Sequence, residues 1–181
     1  MNGTEPGDNV GGVHAVVIMG PAGSGKTTVG MALAQATGAR FVDADAHHPL
    51  TNVEKMRAGV ALTDADRLPW LRELAHIIKS SKTTRLVLAC SALKESYRTI
   101  LRDNDPGVRF FCLSVPKEEL TRRLSARAGH FFNPNLLETQ LLTLQSPPND
   151  EIDGTLSVNE LVTDIARQLD WPSARGRNIV T

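Results

Sequence analysis

Apolar runs and stretches of helical periodicity alternate along this chain. Ala15-Val16-Val17-Ile18-Met19 is an unbroken apolar run, and residues 14–19 read as a strand. Segments 40–42, 86–90 and 108–115 read the same way. Helical spacing fills the gaps. Segment 27–37 ends at Gly38, a fitting C-cap, and segment 52–58 ends at Gly59. Thr63-Asp64-Ala65-Asp66 is the Asp variant of a capping box, and Leu68, Leu71, Leu74, Ala75 and Ile78 follow at helical spacing. Pro116 suits a first helical turn, with Glu118 and Glu119 near the positive end of the dipole and Leu120 and Leu124 on one face. Segment 134–145 places Leu137, Leu141 and Leu144 on one side, and Ser157-Val158-Asn159-Glu160 caps a helix carrying Leu161, Ile165 and Leu169. Strands alternating with helices predict an α/β fold with a mainly parallel central sheet flanked by helices.

The first strand leads into the strongest chemical signal. Gly20-Pro21-Ala22-Gly23-Ser24-Gly25-Lys26-Thr27 fills the pattern G-x-x-x-x-G-K-[ST] between a strand and a helix, the context of a phosphate-binding loop. Its glycines let backbone N–H groups turn around an anion without Cβ clashes, and the helix that follows adds its partial positive charge. Lys26 can reach the β- and γ-phosphates, the Thr27 hydroxyl can ligate Mg²⁺, and Thr28 joins the nucleotide-binding set. A turn that only joins strand to helix leaves Lys26-Thr27 without explanation. ATP and Mg²⁺ are the expected cofactors.

Composition narrows the rest. The chain has 181 residues, 41% apolar and 22% charged, with a formal net charge of zero. That size supports one domain with a proper core. Neutrality and a single tyrosine with two tryptophans argue against nucleic acid as a partner, so Arg122 and Arg123 do not read as a nucleic-acid patch. No apolar run reaches the length of a membrane span. Residues 1–12 are polar and glycine-rich, lack the basic and apolar regions of a signal peptide, and read as a disordered lead-in. The domain is expected over 13–171, with 172–181 as a loose tail and the looseness beginning around Trp171. Cys90 and Cys112 sit in apolar runs as reduced core thiols, which suits a cytoplasmic protein.

A second constellation follows the second strand, at Asp43-Ala44-Asp45. Ligands of parallel α/β sheets sit beyond the carboxyl ends of strands, so this segment shares a rim with the phosphate loop. Along an extended segment, Asp43 and Asp45 face the same way, one suited to Mg²⁺ and the other to an acceptor hydroxyl. An Asx-rich turn would use the same residues. His47-His48-Pro49 lacks a third ligand at metal-binding spacing.

Here the chain resembles the gluconokinases. The resemblance rests on Asp43-Ala44-Asp45-Ala46-His47-His48-Pro49, on Asn52-Val53-Glu54-Lys55-Met56, and on Gly59 with 62–67 and Pro69-Trp70-Leu71. It continues through Ala89-Cys90-Ser91-Ala92-Leu93-Lys94 with Tyr97-Arg98, then Arg127-Ala128-Gly129-His130-Phe131-Phe132 with Gln140 and Leu144. It implies transfer of the ATP γ-phosphoryl group to the 6-hydroxyl of D-gluconate. It also implies a three-layer P-loop fold related to shikimate and nucleoside monophosphate kinases, with a mobile lid at about 123–135. A homodimer is the assembly it suggests, although no sequence stripe marks an interface. On this basis Asp45 contacts the acceptor and can serve as base, Asp43 lies near Mg²⁺, and Arg67 binds the substrate carboxylate unless it pairs with Asp64 or Asp66. His48, Ser91, Lys94, Arg98 and His130 are further candidate substrate contacts, Lys94 and Arg98 being open to the alternative of an exposed basic helix face. Arg123 and Arg127 are the lid arginines that close over phosphates, Arg127 counted with Lys26 and Asp45 as catalytic.

The chain departs from the family at Ala46 and His47, and in segment 149–156, where Gly154 and the acids predict a shortened strand, frayed or lost, at or near the sheet edge. Two other readings compete. One is a kinase for another hydroxy acid such as shikimate, disfavoured because the glycine run expected after the third strand is replaced by Ser91-Ala92-Leu93-Lys94. The other is a nucleotide-dependent switch, for which little chain remains to bind a partner.

Overall fold

The computed structural model describes residues 12–126, 134–147 and 150–172. The predicted alternation is present: β1 (Ala15–Met19), α1 (Lys26–Thr37), β2 (Arg40–Asp43), a 3₁₀ turn (Ala44–His47), α2 (Leu50–Arg57), α3 (Asp64–Ser80), β3 (Leu86–Ala89), α4 (Glu95–Arg102), β4 (Val108–Ser114), α5 (Lys117–Ser125), α6 (Pro134–Thr143), β5 (Glu151–Asp153) and α7 (Val158–Leu169). The strands make one parallel sheet in the order β2-β3-β1-β4-β5.

Helices cover both faces of the sheet, which is why β1 reads as an unbroken apolar run rather than an alternating one. Successive residues of a strand point to opposite faces. Ala15, Val17 and Met19 meet Trp70, Leu71 and Leu74 of α3 and Tyr97 and Leu101 of α4. Val16 and Ile18 meet Leu33 of α1 and Leu161 and Ile165 of α7. A third, smaller cluster of Val115, Leu120 and Leu137, with Leu124 and Leu141, joins α5 to α6 above the carboxyl rim of the sheet. Each fully buried aliphatic side chain contributes about 1.5–3 kcal/mol.

Local chemistry sets the helix ends. Gly38 takes the left-handed conformation at φ 70 after α1, and Thr63 and Ser157 form the expected capping boxes with Asp66 and Glu160. Pro116 is the N-cap of α5 rather than part of its first turn.

Segment 149–156 keeps its strand. β5 has three residues and sits at the sheet edge, with Leu113 opposite Ile152. Gly154, a poor strand former, is needed just after it: a Cβ there would lie 2.5 Å from Val115 Cγ2. The looseness expected from Trp171 onward is corrected at that residue. Its ring is buried against the α1–α7 core, and its indole Nε1 donates to the Val13 carbonyl at 2.9 Å. Residues 1–11 and 173–181, which carry the expectations of a disordered lead-in and a loose tail, lie outside the described residues. Both cysteines are free and buried.

Candidate active site

The phosphate loop leaves β1 at Gly20 and enters α1 at Lys26. Gly20, Gly23 and Gly25 have φ of 140°, 82° and 97°, values that side chains with a Cβ rarely adopt. Gly20 is also crowded: a Cβ there would meet Ser24 Oγ at 2.9 Å and the Leu113 carbonyl at 3.1 Å. Pro21, Ala22 and Ser24 complete the curve, and Gly25 is the N-cap of α1. No acidic residue stands in the first turn of α1, so its positive end is left for an anion. Lys26 Nζ donates to the Pro21 carbonyl at 2.9 Å. Thr27 and Thr28 are exposed on the opening.

Asp43 ends β2 on the same rim. The expectation that the chain continues extended through Asp45 is corrected, because a 3₁₀ turn begins at Ala44. The turn forms because Asp43 Oδ1 accepts from the Asp45 amide at 3.1 Å, the Asx geometry open to these residues. The other oxygen, Oδ2, accepts from Thr27 Oγ1 at 3.3 Å. Thr27 and Asp43 therefore offer two adjacent hard oxygen donors. Among the described residues no group of three or more His, Cys, Asp or Glu could hold a metal by itself. Two protein oxygens facing a phosphate site fit Mg²⁺, which keeps waters and takes the rest of its ligands from phosphates. Asp45 is exposed on the rim beyond them.

The far wall comes from α2, α3 and the β3–α4 loop. His48 stacks on Trp70 with ring centroids 4.1 Å apart and planes 13° from parallel. Trp70 is itself pinned, its Nε1 donating to the Ala44 carbonyl at 2.8 Å. Burial pushes the His48 pKa below its usual value, with nearby Asp45 opposing and Arg67 reinforcing the shift. Asn52 Nδ2 donates to the Asp66 carbonyl at 2.9 Å and ties α2 to α3.

The two carboxylates nearest Arg67 in sequence are already matched to other groups. Asp64 accepts from Lys94 Nζ through both oxygens at 2.8 Å and from the Tyr97 hydroxyl. Those bonds lower the Asp64 pKa and raise that of Lys94. Asp66 accepts from Lys55 and from Thr63, which together hold it to about 2. Arg67 is left half-buried, 6.0 Å from the Tyr97 ring centroid, and forms no ion pair among the described residues. The local pairing of Arg67 with Asp64 or Asp66 is thus absent.

The loop after β3 carries Ser91, half-buried, whose carbonyl accepts from the Gly20 amide at 3.4 Å. Ala92 follows in the left-handed region at φ 43. Arg98 explains how that strained residue is held. Its guanidinium is 1% exposed, donates through Nη1 to the carbonyls of Ala92 and Leu93 at 3.0 and 3.4 Å, and bonds Glu95. The alternative of an exposed basic helix face for Lys94 and Arg98 does not hold, because Arg98 lies inside the loop and Lys94, the N-cap of α4, bonds Asp64. Cys90 sits beneath this loop, and burial pushes its thiol up to about 12.

On the opposite side, Arg123 joins three segments. Its Nε donates to Glu119, Nη1 to the Ser24 carbonyl at 3.4 Å and Nη2 to the Gly154 carbonyl at 3.1 Å. Beside it opens a cavity of about 290 Å³ lined by the phosphate loop, Thr28, Val29, Leu156, Val158 and Leu161. Arg127, His130 and most of the expected lid lie outside the described residues.

The structure therefore brings the phosphate loop, Asp43, Asp45, His48, Arg67 and Ser91 to one rim. Sequence reasoning gave no role to Trp70, Tyr97 or the Leu156–Val158 edge of the cavity. Trp70 and Tyr97 stand within the blocks that carried the resemblance; the cavity edge left no signal of its own.

Comparison with known proteins agrees with this geometry. The family model of shikimate kinase matches residues 22–148. The thermoresistant gluconokinase of Escherichia coli K12 is 42% identical over 159 residues, 87% of each chain. The gluconokinase of Gluconobacter oxydans is 46% identical over 140 residues, 75% of this chain and 78% of that one. The crystal structure of a gluconokinase from Sinorhizobium meliloti superposes with a TM-score of 0.79 at 39% identity, covering 87% of this chain and 94% of the other. At that identity and coverage, the chain belongs to the gluconokinase family, on the P-loop fold it shares with shikimate kinase.

Proposed function

We propose that this chain transfers the γ-phosphoryl group of ATP to the 6-hydroxyl of D-gluconate, releasing ADP and 6-phosphogluconate. The observation that carries the reading is the meeting of Thr27 and Asp43 at 3.3 Å, with an Arg67 on the same rim that forms no ion pair among the described residues. That pairing supplies a phosphate and metal end and a carboxylate end, which is what a phosphorylated sugar acid requires.

The roles follow from chemistry. The phosphate-loop amides and Lys26 hold the β- and γ-phosphates. Thr27 and Asp43 would hold Mg²⁺, which when bound neutralises phosphate charge. The base fits the cavity beside Arg123, where Val29, Leu156, Val158 and Leu161 give apolar contact. Arg67 presents a guanidinium fork to the gluconate carboxylate. Trp70 and His48 wall the carbon chain, and Ser91 offers its hydroxyl and backbone. Asp45 orients the 6-hydroxyl and takes its proton as the oxygen bonds to the γ-phosphorus and the bond to ADP breaks. The transition state of phosphoryl transfer is loose, so this positioning matters more than base strength. Lys94 and Arg98 act from behind, holding Asp64 and the Ala92 loop. Arg127 and His130 are proposed to complete the site from the lid.

A coupled ADP-release assay tests the reading. ATP and Mg²⁺ are supplied with D-gluconate, shikimate, other sugar acids or no acceptor, and the Lys26→Ala protein is the blank. ADP release that depends on gluconate and is abolished by Lys26→Ala, in a variant with an unchanged melting profile, is expected. Turnover with shikimate instead would replace the acceptor. Acceptor-independent release would favour the switch reading.

A further inference from the structure

Gln140 stands on α6, the helix whose Leu137 and Leu141 pack against α5 above the rim. Its Oε1 accepts a hydrogen bond from the Ala22 amide at 2.7 Å. The other end of that same peptide unit, the Pro21 carbonyl, accepts from Lys26 Nζ at 2.9 Å. The chain has no cis peptide among its described residues, and a trans peptide is a rigid plate with C=O and N–H pointing opposite ways. Gln140 and Lys26 therefore grip one plate from its two edges, and rotating the plate breaks both bonds.

Within the loop the Pro21 carbonyl also accepts from the Ser24 amide at 3.3 Å, the longest of the plate's three bonds. The Ala22 edge of the plate is held from outside the loop, by Gln140. The chain just beyond α6 is anchored as well. The Gln145 amide donates to the Leu93 carbonyl at 2.8 Å, and its Oε1 accepts from the Glu95 amide at 2.7 Å. One stretch of chain thus grips the phosphate loop and the loop that follows β3.

We propose that Gln140 is a positioning residue for phosphoryl transfer, fixing the Pro21–Ala22 peptide and through it aiming the Lys26 ammonium at the phosphates. The inference rests on the phosphate loop holding ATP and is independent of the acceptor.

A double-mutant cycle on nucleotide affinity tests it, using ATP·Mg²⁺ titrated without acceptor against four proteins: the parent, Gln140→Leu, Lys26→Ala and the double variant. Gln140→Leu keeps the apolar stem and removes the acceptor; Gln140→Met does the same if leucine disturbs α6. Gln140→Leu is expected to weaken ATP binding about tenfold in the parent and to have little further effect once Lys26 is gone. The same substitution should lower kcat while leaving the KM for gluconate within about twofold. Equal losses in both backgrounds would overturn the proposal, as would a lower melting temperature with ATP affinity unchanged. Because the titration contains no acceptor, an error in the assigned substrate would fail the ADP-release assay and leave this result standing.

Discussion

Arg67, at the acceptor end of the site, forms no ion pair among the described residues. Its neighbours in sequence, Asp64 and Asp66, are taken by Lys94, Tyr97, Lys55 and Thr63. Charge-assisted hydrogen bonds to a carboxylate contribute about 1.5–3 kcal/mol, or roughly ten- to 150-fold in affinity. Arg67→Ala is therefore expected to raise the KM for gluconate at least about tenfold and to leave the KM for ATP within about twofold. Initial rates with each substrate varied in turn check this, and an unchanged gluconate KM would move the carboxylate contact elsewhere. The sequence identifies Arg67 as a candidate but not which acid answers it, because partners such as Lys94 arrive from another helix. His48 shows the same limit. Its place in the His-Pro pair is legible, whereas its stacking on a tryptophan from another helix, and the burial that lowers its pKa, are not.

Helix starts were legible because a cap is made by residues within one turn of each other. The boxes at Thr63 and Ser157 hold to the residue. Irregular connections were harder, since their shape depends on groups far away in sequence. The 3₁₀ turn after Asp43 replaces an extended path, and the Ala92 loop depends on a guanidinium from α4. That loop yields a test at the same scale. Arg98→Met keeps most of the apolar stem but strips donors from the Ala92 and Leu93 carbonyls. The expected cost is about 2 kcal/mol, which at two to four degrees per kcal/mol lowers the melting temperature by about 4–8 °C. The gluconate KM should rise with it, because the freed loop carries Ser91, and the ATP KM should not. A variant with parental melting and kinetics would show that the left-handed Ala92 holds without this arginine.

The two ends of the sheet have different tasks. The carboxyl rim collects the phosphate loop and the acceptor wall, and the opposite end holds the layers together. There His14, entering β1, meets Asp105, which also pairs with Lys82 and accepts from the Gly107 amide. Partial burial pushes the Asp105 carboxyl up, but the bonds from Lys82, Gly107 and His14 outweigh it and hold the pKa at about 2, below the ordinary 3.8. A depressed carboxylate stabilises the fold above its unfolded pKa, and the contribution is lost as pH falls through the folded value. Urea midpoints should therefore fall between about pH 4 and pH 2 in the parent. Asp105→Asn should lower the midpoint at pH 7 and flatten that acid limb, and an unchanged acid limb would assign it to other carboxylates. The strand order has a separate consequence for the newborn chain. Both neighbours of β1 come later in sequence, first β3 and then β4. As the polypeptide leaves the ribosome, Ala-Val-Val-Ile-Met is a sticky, uncharged ribbon with two open edges, the kind of segment that seeds aggregation. The strand that becomes the floor of the catalytic rim must therefore be shielded, by the collapsing chain or by a chaperone, until Leu86–Ala89 has been synthesised.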